Sequence, residues 1–133
     1  MARDRKEQHA LFLLSVGLLS WLVPGGGYYL IKEKARAAIL FVTISLTFVL
    51  GLYAGSIGVV DPVESWLWYF AQAMASPLVI LLGNHTAGGG YPVYGQPNAV
   101  GQIYTSIAGL LNLLCIVNAV YLAHMRRTQP AGD

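Results

Sequence analysis

A chain of 133 residues has room for one domain and no second core. Apolar residues make up 56% of it and charged residues only 11%, about half the share usual in soluble domains. No Asp, Glu, Lys or Arg occurs between Ala37 and Val60 or from Ser65 to Met125, which excludes an ordinary soluble domain and points to an all-α membrane protein.

Met1 to His9 is a polar, basic-leaning lead-in, and Ala10 to Val23 is then continuously apolar or small. Fourteen residues of helix rise only about 21 Å, short of the roughly 30 Å hydrocarbon core. Two readings follow. A charged start with a short apolar run resembles a secretory signal peptide, with Gly25 and Gly27 as a poor cleavage site. Alternatively the first span covers about 10–31 and is broken at Pro24, Gly25, Gly26 and Gly27, where neighbouring groups must satisfy the freed backbone. That break is then a turn and a candidate ligand site.

Lys32, Glu33, Lys34 and Arg36 form a charged turn before a second span over 37–55. Thr43, Thr47, Gly51 and Gly55 are four apart along it, a small-residue ladder for helix packing. Ser56 to Glu64 reads as a turn broken by Asp61-Pro62. Ser65 to Leu82 can just cross as a third span, but its WLWYF cluster and Pro77 also suit a re-entrant or interfacial helix. Residues 83–100, rich in Gly and Pro and without charge, read as a long loop lying against headgroups or a neighbouring subunit.

The last span, 102–125, carries the most regular pattern. Gly101, Thr105, Ala108, Asn112, Cys115 and Ala119 repeat at four-three-four-three-four spacing, which puts small and weakly polar residues on one face. Small faces let helices approach closely, and an Asn amide finds a partner across the interface. The simplest arrangement presses this seam against the ladder of the second span; homodimerisation through the same ladder is the alternative.

Four spans in one domain, 1–133, put both termini in the cytoplasm, with Arg3, Arg5, Lys6, Arg126 and Arg127 inside and Lys32, Lys34 and Arg36 outside. Three spans with the N-terminus outside give the same five against three, so the charge count does not choose. The four-span bundle is the expectation, because Ser65 to Leu82 is apolar enough.

Chemistry in a bilayer usually leaves ionisable groups inside the spans, and here the spans hold no Asp, Glu, Lys or Arg. No catalytic residue is therefore expected. His9, His85 and His124 lack metal-ligand spacing, Cys115 stands alone, and Gly88-Gly89-Gly90 lacks the Lys-Ser/Thr of a phosphate loop. No metal, cofactor or nucleic acid is expected. Gln72, Asn112 and Asn118 are the amides well inside the spans, each expected to bond a neighbouring helix.

Two segments carry a resemblance. Leu18 to Leu40 (LLSWLVPGGGYYLIKEKARAAIL) resembles the helix–PGxG–aromatic–basic turn–helix hairpin of the two-transmembrane-helix domain superfamily. Gly101 to Ala119 resembles the closing helix of a small family of uncharacterised bacterial membrane proteins related to it. Tyr28, Ala37 and Asn118 stand where those relatives often carry His, Gly and Asp. The resemblance implies the bacterial inner membrane and carries no activity. The functional expectation is a non-enzymatic accessory or scaffold subunit whose partners are membrane lipids and other integral subunits. The alternative is binding or transport of a lipid or apolar molecule at Pro24 to Gly27.

Overall fold

The computed structural model describes residues 1–55, 60, 66–87 and 96–129, and among them every regular element is a helix. The elements are α1 (Ala2–Leu22), α2 (Gly26–Leu30), α3 (Lys34–Gly55), α4 (Trp66–Ala73), α5 (Pro77–Thr86) and α6 (Gln96–Thr128). Of these, Lys34–Gly55 and the Ala99–Thr128 part of α6 are long and apolar enough to cross a membrane.

These two helices run antiparallel and form the axis. Gly51 lies against Thr105 and Tyr104, while Ile39 and Leu40 share a cleft with Leu111 and Leu114. The main core lies along this seam, built on Ile44, Ala108, Cys115, Ala119 and Ala123, with Val16, Tyr28 and Ile31 closing it.

The first expected span, 10–31, is a helix and a turn back rather than one continuous helix. α1 runs antiparallel to α6, from His9 beside His124 to Gly17 beside Val120, and stops at Leu22. The chain turns at Pro24 and Gly25, whose φ of 79° falls in the left-handed region open to glycine. α2 then folds back along α1. Gly27 sits so tightly on Ser20 and Val16, and Gly26 on Leu19, that any Cβ there would overlap them. The chain returns to the end it started from, because Arg126 donates to the carbonyl of Ile31 (2.6 Å) and pairs with Glu33.

The third expected span is likewise two pieces. Ser76 caps α5 by accepting from the Leu78 amide, and Pro77 occupies the first turn, so a new helix starts inside the apolar run. Gly83 of α5 packs on the ring of Tyr69 of α4, making a second hairpin that points from the opposite end of the bundle. The loop expected over 83–100 is shorter than that reading, since α5 continues to Thr86 and α6 begins at Gln96. The Asp61-Pro62 turn and Gly88 to Gly90 lie outside the described residues.

This topology gathers charge. The His9–His124 contact and the Arg126–Glu33 pair bring the starts of α1 and α3 and the end of α6 together. All eight Lys and Arg residues therefore lie at one end, where the four-span arrangement divided them five against three.

Candidate functional site

The two hairpin turns meet halfway along α6, and each supplies groups the other lacks. A helix that ends in an apolar interior leaves carbonyls without partners, which side chains must satisfy. At the end of α4 those carbonyls belong to Ala73, Met74 and Ala75. The Trp21 indole of α1 donates to Ala73 (3.0 Å), and the Asn112 amide of α6 donates to both Met74 and Ala75 (2.9 Å each). In the other direction the Ser76 hydroxyl donates to the carbonyl of Leu22 (3.3 Å), where α1 ends. One residue before the turn, Gln72 donates to the Thr105 hydroxyl (2.8 Å), which itself donates to the Gly101 carbonyl (2.9 Å). Gln72, Thr105 and Asn112 are all fully buried.

The α6 seam falls inward along its whole length: Gly101, Thr105, Ala108, Asn112, Cys115 and Ala119 are each buried. Its alternating four-three spacing averages 3.6, so after eighteen residues the face returns to its starting direction. The α3 ladder divides. Gly51 and Gly55 are buried, whereas Thr43 is exposed and Thr47 half-buried, their hydroxyls bonded to the carbonyls of Ile39 and Thr43 (2.8 and 2.7 Å). Strict four-residue steps drift about 40° each, so Thr43 and Gly55 differ by about 120° in direction. The inward face is instead Ala37, Ile44, Gly51 and Gly55. A period of seven through Ile44 was the signal that could have found it.

Two hollows flank the first turn. One, of about 460 Å³, lies between the end of α1, α3 and α5, lined by Val23, Pro24, Ser45, Phe48, Ser76 and Val79 among others. Ser45 and Ser76 are its polar side chains; Leu22, Val49 and Leu78 on its rim are more than half exposed, so it opens outward. The other, of about 400 Å³, sits on the opposite side of Pro24, against Gly25, Gly26, Ala37 and Phe41, with Lys34 at its edge. Gly27 lines neither, being buried against α1.

Nearer the charged end, the Asn118 amide donates to the Tyr28 hydroxyl (2.6 Å), joining α6 to α2. A third cleft of about 430 Å³ opens beside this pair, with Arg36 in its wall. His9 Nε2 and His124 Nδ1 are 3.0 Å apart, and among the described residues no group of three His, Cys, Asp or Glu gathers that could hold a metal. Trp21 and Ser76 were not expected at the site. The Ser-Pro pair was the available signal for Ser76, since that dipeptide marks a helix start.

A family model described as "Family of unknown function (DUF6677)" matches residues 15–129. The match spans the end of α1, both chain turns and all of the α6 seam. No curated protein and no solved structure matches the chain.

Proposed function

For a chain that belongs to the Family of unknown function (DUF6677), we propose a multi-pass protein of the bacterial cytoplasmic membrane that holds a lipid or other apolar molecule beside its two chain breaks. In this reading α3 and α6 cross the bilayer, and the two hairpins enter from opposite faces and stop near its middle. With 22 residues α3 is about 33 Å long, enough for the roughly 30 Å core. α4 and α5, with 8 and 10 residues, reach only about 12 and 15 Å. Only 11% of the apolar stretch of α3 is buried inside the protein, and Phe41, Val42, Leu46, Val49 and Leu50 face outward, as lipid contact requires. Irregular backbone at that depth needs partners within the protein, which Trp21, Ser76 and Asn112 supply. With all eight cations at one end, the positive-inside tendency puts that end, and both ends of the described chain, in the cytoplasm. The kinship of Leu18 to Leu40 with the two-transmembrane-helix domains belongs to the same reading, its turn being the first hairpin.

The observation that carries the binding role is the 460 Å³ groove, which has the size of a small-molecule site and an almost wholly apolar lining. It faces outward at mid-height, where acyl chains would lie. The accessory-subunit reading drew on the pair of small-residue seams, the absence of buried charge and a long uncharged loop. The α6 seam and the glycines of α3 are occupied within the chain, so a partner would have to use another face. The protein carries no catalytic role in this proposal.

The test is gentle extraction of the full chain followed by native mass spectrometry of protein and co-purifying molecules. One retained apolar molecule per chain, lost when Ser45→Phe fills the groove, is the expected result. An empty groove together with stoichiometric protein partners would favour the accessory subunit instead.

A further inference from the structure

The cleft between α2, α3 and α6 differs from the mid-height groove in chemistry. Its wall combines the Arg36 guanidinium, the Tyr28 hydroxyl and the Asn118 amide with Ile39, Leu111 and Leu114. The polar groups lie toward the charged end and the leucines deeper along α6. The Tyr28 hydroxyl accepts from Asn118 and keeps a hydrogen of its own to donate. Tyr28 lines the cleft, so that hydroxyl can donate to an acceptor brought there. Arg36 shares a single carboxylate with a second arginine, which leaves one positive charge over. Its Nε lies 3.9 Å from Glu33, but Glu33 is held by the shorter pair to Arg126. Asn118 is exposed on a stretch of α6 that the reading above buries in lipid, and its amide has capacity for a further bond beside the one to Tyr28.

Taken together, these groups ask for a ligand with an anionic, acceptor-rich head and an apolar body. We infer that this cleft binds an anionic phospholipid of the cytoplasmic leaflet, its phosphate taken by Arg36 and the Tyr28 hydroxyl and its upper acyl segment lying on Ile39, Leu111 and Leu114. Basic pockets between membrane helices on the cytoplasmic side suit such headgroups, and an arginine fork matches phosphate geometry. The inference rests on the membrane placement proposed above but not on the occupancy of the mid-height groove.

The experiment titrates the full chain in detergent with phosphatidylglycerol or phosphatidylcholine of matched acyl chains, reading bound lipid by native mass spectrometry. Phosphatidylglycerol is expected to bind preferentially, and Arg36→Gln to cut that preference about fivefold, the weight of one basic residue near a lipid surface. Tyr28→Phe, which keeps the packed ring, should weaken it further in combination. Lys6→Gln, remote from the cleft, and Ser45→Phe, in the other groove, should leave it unchanged. Equal retention of the two lipids, or an equal loss in Arg36→Gln and Lys6→Gln, would overturn the site, the second outcome meaning diffuse charge attraction. Competition by inorganic phosphate at millimolar concentration would also overturn it, since a free anion would then be the ligand. Alkaline carbonate extraction of native membranes tests the placement separately: a chain that stays in the pellet yet lacks the lipid preference refutes the cleft alone.

Discussion

The side-chain amide of Asn112, at the middle of α6, donates to the main-chain carbonyl of Ala75 at 2.9 Å and, through its other hydrogen, to that of Met74. A single residue thereby closes the end of a helix in another part of the chain. Asn112→Leu keeps the volume and removes both donors, leaving two carbonyls unpaired in an apolar interior. Each such group costs about 1–3 kcal/mol, so a clear fall in thermal midpoint in detergent is expected. Asn112→Gln, which retains the amide, should recover part of it. An unchanged midpoint in the Leu variant would mean the turn is held by something else.

The packing of α4 on α6 gives a second contrast. A methyl group at Gly109 would overlap the carbonyl oxygen of Ala71, whereas one at Gly17 would meet a Val120 methyl at an ordinary 3.5 Å. Gly109→Ala should therefore destabilise by about 1–3 kcal/mol, the usual penalty of overpacking. Gly17→Ala should be neutral or stabilising by about 0.5–1 kcal/mol through the loss of glycine's unfolded freedom. Unfolding followed by tryptophan fluorescence separates the two, and a ranking in the reverse order would contradict the contact.

The Asn118 amide donates to the Tyr28 hydroxyl, so one residue of α6 and one of α2 are held together by a single bond. His and Asp at these two positions would place an imidazole and a carboxylate on the same two helices. Tyr28→His alone and Asn118→Asp alone should each lower the thermal midpoint, since each leaves one group mismatched. The double variant should recover much of the loss, with a coupling of about 1–3 kcal/mol as for residues in direct contact. Strict additivity would show that the two positions do not act as a unit.

The sequence made some of this legible and hid the rest for physical reasons. The α6 seam could be read because its spacing averages 3.6 over eighteen residues and so stays on one face. The α3 ladder misled at Thr43 and Thr47, because equal steps of four rotate off the face and a hydroxyl can satisfy itself on its own helix. A break at Pro24 to Gly27 was visible, but its direction was not. Folding back depends on Gly26 and Gly27 meeting Leu19 and Ser20, a contact that composition does not display. Ser76-Pro77 did carry the signal of a new helix start, outweighed there by the apolar length of the surrounding run. The charge tie of five against three held a clue as well. Both crossing arrangements split the cations five against three, whereas the two hairpins of the fold put all eight at one end.

That difference supplies the most direct measurement of the central claim, that α1–α2 and α4–α5 enter from opposite faces without crossing. In a Cys115→Ala background, single cysteines are placed at Arg5, Lys32 and Tyr53, all exposed positions. They are then labelled with a membrane-impermeant maleimide in right-side-out and inverted vesicles. Positions 5 and 32 should react from the same face, cytoplasmic by the charge rule, and position 53 from the other. Labelling of position 32 together with 53 and apart from 5 would mean that the first segment crosses the bilayer after all, and the two-hairpin account would be wrong.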